Sequence, residues 1–170
     1  MGNRTAEQDL VVELARAAVD ATAPDELALF DDTSAAFLRR PVGPEHLTRE
    51  GKADGPLTFG VDVWVPVVSI AALGAAQSVL IFLGAEIKSA LREESSSTIR
   101  AWVKRLLARF QPSDRQEAAP VAVPRLTPEQ LATVRQRAYE QALAFKMPPA
   151  KAEIMADAIV GRLSLPDAGE

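Results

Sequence analysis

The sequence predicts an all-α protein: a helical bundle with one long central apolar helix, which is also a candidate single membrane span, and a C-terminal helical hairpin. Aromatic residues make up only 5% of the chain, and alanine, valine and leucine dominate its apolar 48%. This composition favours close-packed helices over a sheet. No charged residue occurs in residues 63–85. Two helix-opening pairs, Thr5 with Gln8 and Thr127 with Gln130, have the spacing of a capping box.

Length and charge limit the class of protein. A chain of 170 residues can build one domain with a substantial core. Its net charge of −4 argues against a general nucleic-acid-binding function, because such affinity comes from neutralising phosphates. We therefore expect no nucleic-acid partner.

The chain offers few groups for catalysis or metal binding. It contains no cysteine and a single histidine, His46, so neither a thiolate metal site nor a two-histidine site can form within one chain. The sequence holds no GxSxG, HExxH or Walker A pattern. We therefore predict that the protein is not an enzyme, holds no cofactor or metal, and has no evident small-molecule substrate.

Residues 1–40 are predicted to form short N-terminal helices. Apolar side chains recur at helical spacing over about residues 6–21, directly after the first capping box. A proline followed by two acids opens a second helix over residues 24–30. Thr33 is predicted to cap a third helix that ends before Pro41.

Two segments are predicted to connect the helical units. Residues 41–62 form a Pro/Gly-rich connector, with three prolines and four glycines by position 60, and one helical turn is expected at residues 45–49. Residues 112–125 contain three prolines and are expected to form a linker of extended character.

Residues 63–94 are predicted to form the central helix. Their charge-free part is just long enough, as a helix, to cross a hydrocarbon core of roughly 30 Å. Its eleven strongly apolar side chains favour insertion by roughly 3 to 6 kcal/mol, and Gln77 near the middle opposes it. The alternative is a buried helix of a soluble bundle, apolar on all sides. The residues predicted to lie in lipid or in the core are Val65, Val68, Leu73, Leu80, Phe82 and Leu83.

The most clearly amphipathic pattern lies at residues 96–110, which complete a unit over residues 63–111. Apolar side chains form one stripe and basic side chains occupy the other side. Directly after a candidate span, this pattern is typical of an interfacial helix on anionic headgroups; the alternative is a bundle helix with a solvated basic face. The predicted interfacial residues are Arg100, Trp102, Lys104, Arg105, Leu106, Arg109 and Phe110.

Residues 126–165 are predicted to form a helical hairpin, broken at Pro148 and Pro149, with its second helix over residues 150–163. Forty residues bury too little surface alone, so we expect the hairpin to dock on the first part of the chain or on another copy. Its predicted docking face comprises Leu131, Val134, Phe145, Ile154 and Ile159.

The run GAAQSVLIFLGAEIKSALREE followed by RAWVKRLLARF resembles small actinobacterial proteins of the effector-associated constant component kind. The resemblance covers residues 60–110, carries over no functional residue, and implies a component that accompanies effectors in bacterial conflict systems. A bias towards arginine over lysine and towards alanine is also usual in GC-rich bacterial genomes.

These observations predict a non-enzymatic, membrane-associated adaptor or effector in the bacterial cytoplasmic membrane. The basic residues after position 86 place its C-terminal part in the cytoplasm by the positive-inside rule. The alternatives are a soluble, cytoplasmic, oligomeric helical interaction or structural module, and a protein that disrupts membranes when triggered. In each case a protein partner or a homo-oligomer is expected, and the membrane is a candidate partner.

Overall fold

The computed structural model describes residues 5–46, 66–91, 103, 106–107 and 126–164. Every regular element in those residues is a helix, which confirms the predicted all-α fold with one long apolar helix and a C-terminal hairpin. The described α-helices are α1 (Ala6–Thr22), α2 (Leu27–Arg39), α3 (Val67–Leu91), α4 (Pro128–Ala144) and α5 (Pro149–Ser164), with short 3-10 turns at Pro24–Glu26 and Pro44–His46.

Helix α1 begins where its capping box predicts. The Thr5 hydroxyl accepts a hydrogen bond from the Gln8 backbone N–H at 3.3 Å, and the Gln8 side chain accepts one from the Thr5 N–H at 3.0 Å. Two of the N–H groups that lack partners in the first turn are thereby satisfied. The inward side of α1 is wholly buried and consists of Leu10, Val11, Val12, Leu14, Ala15, Ala18 and Val19.

Helix α2 is continuous, so the prediction of two short helices over residues 24–39 is wrong. The 3-10 turn at Pro24–Glu26 leads directly into α2. Thr33 lies inside α2 and does not start a helix. Its hydroxyl donates to the Leu29 carbonyl at 2.8 Å, one turn earlier in the same helix. Phe30, Ser34 and Phe37, spaced four and three residues apart, form the buried side.

Helix α3 packs against α1, α2 and α4. Residues 68–76 are buried without exception. From Gln77 onward the burial becomes one-sided: Val79 and Leu83 are fully buried, whereas Ile81 is 68% exposed. The helix falls within the predicted residues 63–94; residues 63–65 and 92–94 lie outside the described part of the chain.

The C-terminal hairpin is built from local signals. Thr127 and Gln130 form the second capping box, with Pro128 in the first turn. Helix α4 ends in a Schellman motif: the Lys146 N–H donates to the Leu143 carbonyl at 2.9 Å and the Met147 N–H to the Ala142 carbonyl at 3.1 Å. Lys146 has a φ of 63°, the left-handed conformation that glycine adopts more easily.

The hairpin docks on the first part of the same chain. Helix α5 packs against α1 and α4, while α3 also packs against α1 and α4, so the four helices form a ring with α3 and α5 at opposite corners. The contact between α3 and α4 is close at one point: a Cβ atom added to Gly74 would lie 2.5 Å from Cε2 and 2.8 Å from Cζ of Phe145. Glycine at position 74 therefore makes room for the buried Phe145 ring.

Most of the predicted docking face is on the inside. Val134, Phe145 and Ile159 are buried and Leu131 is partly buried. Ile154 was predicted to face inward, but it is 47% exposed. It lies five residues before Ile159, about 140° around the helix, and so points away from the core. The buried stripe of α5 is instead Ala152, Met155, Ala156, Ile159 and Leu163.

Several predictions concern residues outside the described part of the chain. These are most of the connector, the linker over residues 112–125, Val65, and all the predicted interfacial residues except Leu106. Val103, Leu106 and Leu107 are helical and belong to the same buried core as α1 and α3. Leu106, which the interfacial interpretation places among headgroups, is 3% exposed.

Candidate functional site

The N-terminus of α3 is held by a carboxylate from a distant part of the chain. Glu26, which is 5% exposed, accepts hydrogen bonds from the Ser69 N–H at 2.7 Å, the Ser69 hydroxyl at 2.8 Å and the Val68 N–H at 3.2 Å. We call these three hydrogen bonds the Glu26 contact. Pro66 precedes the helix and has no side-chain acceptor, so Glu26 fills the place of an N-cap residue.

The Glu26 contact is favourable for two physical reasons. The first N–H groups of a helix have no partner within the helix, and burial would leave them unsatisfied. The same end of the helix carries a partial positive charge that a carboxylate complements. Position 26 therefore ties the 3-10 turn before α2 to the start of the central helix.

Arg16 joins α1 to α2, the helix that follows the turn carrying Glu26. Its guanidinium pairs with the Asp31 carboxylate and lies 4.9 Å from the centroid of the Phe30 ring. Phe30 itself is fully buried. The ion pair is largely exposed and contributes little by itself, but it joins α1 to α2 beside the turn.

An open groove lies beside the second half of α3. Its volume is about 620 Å³ and it is bounded by the start of α1, the end of α2 and the exposed side of α3. A Cβ atom added to Gly84 would meet no atom within 4 Å, so there is space next to this part of α3. We call it the α1–α2–α3 groove. Its lining residues are Thr5, Glu7, Gln8, Val11, Phe37, Leu38, Pro41, Gln77, Leu80, Ile81, Gly84 and Ala85.

The groove is mainly apolar with a polar margin. Phe37, Leu80 and Ile81 supply apolar surface, and among the described residues that line the groove Glu7 is the charged one. Within the described residues no three His, Cys, Asp or Glu side chains are grouped in a way that could hold a metal ion. What the groove offers is an apolar concave surface with a few hydrogen-bonding groups, which suits the apolar side of a helix.

A smaller cavity of about 340 Å³ lies between α1, α5 and the start of α2. Its lining includes both acids and arginines, and the Arg162 guanidinium lies 3.7 Å from the Glu13 carboxylate. The charges of opposite sign face one another there, so this cavity acts as a polar junction between α1 and α5.

The residues predicted for the central helix divide between the core and the groove. Val68, Leu73 and Leu83 are buried in the core, and Leu80 lines the groove. Phe82 is partly buried, and the Arg137 guanidinium lies 4.9 Å from its ring centroid.

Sequence reasoning missed Glu26, and it did not distinguish Ile81 from the other apolar residues of the charge-free stretch. The spacing of 42 and 43 residues between Glu26 and its donors leaves no local signal. The groove likewise joins three segments that are distant in the sequence.

Comparisons of the chain with protein-family models, with curated proteins and with solved structures find no match. The resemblance to effector-associated proteins stays a prediction.

Proposed function

We propose that the protein is a non-enzymatic interaction module that binds a helical segment of a partner protein in the α1–α2–α3 groove. The observation that carries this proposal is the exposure of Ile81, 68%, on a helix whose residues 68–76 are all buried. Scattered exposed apolar residues are normal, but Ile81 borders a concave apolar surface. An amphipathic partner helix would cover it with side chains spaced three and four residues apart.

The packing of α3 supports a protein partner over lipid as the main occupant. The apolar window at Val67–Glu86 has a mean hydropathy of 2.1, and 61% of it is buried inside the protein. Helices α1, α2 and α4 therefore already provide most of the apolar surroundings that a bilayer would supply. Among the described side chains of α3, the large apolar one that is exposed, Ile81, lies on the side that faces the groove.

The test is photo-crosslinking in cells with a photoreactive phenylalanine in place of Ile81. The matched control carries the same residue in place of Ile154, which is also an exposed isoleucine on a helix but lies outside the groove. We expect discrete protein adducts from position 81 and none from position 154. Identical adduct patterns from both positions in folded protein would contradict the proposal.

A second candidate function is a membrane-associated adaptor or effector of a bacterial conflict system, with its C-terminal part in the cytoplasm. The apolar window favours it, because α3 is long and apolar enough to cross a bilayer, as are the core helices of some soluble proteins. Fractionation without detergent tests it: a fraction that stays with the membranes through a high-salt wash is expected. Complete recovery in the soluble fraction would remove this candidate.

A further inference from the structure

We propose that the Glu26 contact makes entry of α3 into a lipid bilayer conditional: while it is intact α3 stays in the bundle, and when it is lost α3 inserts. This inference rests on the membrane-associated candidate function. It concerns the control of α3 insertion by Glu26, which neither groove binding nor membrane association by itself requires.

The contacts that hold α3 are of two kinds. Along most of its length α3 is held by apolar packing, which lipid tails can replace, because they are as apolar as leucine side chains. In the described part of the chain, the side-chain hydrogen bonds between α3 and other elements are the three that Glu26 accepts. The Arg137 guanidinium over the Phe82 ring adds one further polar contact.

The Glu26 contact is lost when α3 leaves the bundle. The carboxylate belongs to the turn before α2 and would have to separate from the α3 N–H groups when the helix leaves the bundle. That separation leaves Val68 and Ser69 without their acceptor and Glu26 without its donors. The contact therefore opposes insertion in addition to the apolar contacts, whose loss uncovers the inner sides of α1, α2 and α4.

The free side of α3 provides the first point of contact with lipid. Ile81 is 68% exposed, and residues 67–85 of α3 carry no charge. Residues 68–76 and the buried side chains of Val79 and Leu83 must then move out of the bundle, and residues 68–76 lie next to the Glu26 contact.

The experiment uses the full chain with vesicles of phosphatidylethanolamine and phosphatidylglycerol. Glu26→Gln keeps an acceptor oxygen and removes the charge; Ser69→Ala removes one hydrogen bond and serves as a milder variant if Glu26→Gln fails to fold. Val134→Ala in α4 is the matched control, because it weakens the core at a fully buried position away from the start of α3. Co-sedimentation after a high-salt wash is measured at the same temperature interval below each Tm.

We expect the Glu26→Gln protein to bind about tenfold more than wild type, on the scale of a charged hydrogen bond, and Val134→Ala to bind as wild type does. Adding Ile81→Arg to Glu26→Gln should abolish the gain, because an arginine is costly in lipid, whereas at an exposed position it does not prevent folding. Adding Ile154→Arg should leave the gain intact.

The outcomes distinguish the proposed role of Glu26 from membrane association itself. Equal binding by Glu26→Gln and Val134→Ala, or binding by wild type at the level of Glu26→Gln, would overturn the role of Glu26 and leave membrane association in place. No binding by any of these proteins would overturn both the role of Glu26 and the membrane-associated function.

Discussion

Replacement of Gly74 by alanine tests the packing between the central helix and the hairpin. The new Cβ atom would lie 2.5 Å from Cε2 and 2.8 Å from Cζ of Phe145, closer than carbon atoms approach without displacement. Phe145 is 1% exposed, so a shift of its ring would disturb the side chains packed around it. Overpacking of this kind costs about 1 to 3 kcal/mol, and the better helix propensity of alanine returns up to about 1 kcal/mol. We expect a net loss of about 1 to 2 kcal/mol.

Gly84→Ala is the matched control on the same helix. A Cβ atom added there would meet nothing within 4 Å, as is also true at Gly161 in α5. Without a clash, alanine should stabilise the protein by about 0.5 to 1 kcal/mol through backbone entropy alone. The two alanine variants of α3 should therefore change stability in opposite directions.

Thermal and urea unfolding followed by far-UV circular dichroism measure the difference. For a chain of this size each kcal/mol shifts Tm by about 2 to 4 °C, so the two variants should be separated by several degrees. Phe145→Leu should partly restore the stability lost in Gly74→Ala, because the smaller leucine side chain leaves room for the added methyl group. Equal stabilisation by Gly74→Ala and Gly84→Ala would refute the docking of the hairpin on α3.

Two further predictions concern α4 and α3. Lys146→Gly should raise the free energy of unfolding by about 0.5 to 1 kcal/mol, because a φ of 63° strains a residue with a Cβ atom; Lys146→Ala, measured in the same urea titration, should not. Val79→Arg should prevent cooperative folding, because Val79 is fully buried. Leu80→Arg should lower the free energy of unfolding by only about 1 to 2 kcal/mol, because the long arginine side chain can reach water through the groove. Melting curves that show equal damage at both positions would indicate that α3 is surrounded on all sides.

Local signals explain why much of the fold was predictable. Both capping boxes form as their spacing indicates, since a threonine and a glutamine three residues apart meet whenever a helix starts between them. The break between α4 and α5 follows from two consecutive prolines, which cannot continue a helix. Where a local signal was ambiguous the prediction was wrong: Thr33 can cap a helix or bond back to the preceding turn, and only the surrounding packing decides which.

The candidate site was much less predictable. Leu80 was among the residues predicted for the central helix, but the residues that form the other walls of the groove, including Phe37 and Gln8, were not connected with it. Ile154 was predicted to lie inside because it is apolar and adjacent to inward positions, yet the stripe that packs against α1 and α4 is centred on Met155 and Ile159. Apolar character predicts that a side chain prefers burial; the orientation of the helix decides whether it is buried.

The sequence by itself determined the helical class, the two capped helix starts, the hairpin and the charge-free stretch at residues 63–85. Each of these depends on residues within one or two turns of each other, whose interactions survive in any tertiary arrangement. Only the tertiary structure decided that α3 is enclosed by α1, α2 and α4, that Glu26 caps it, and that its far end faces a groove. The side chains of an apolar helix pack well against lipid and against other helices, so its own residues cannot specify which of the two surrounds the helix. That choice depends on contacts between segments more than 40 residues apart, such as Glu26 with Ser69, which the order of residues alone does not reveal.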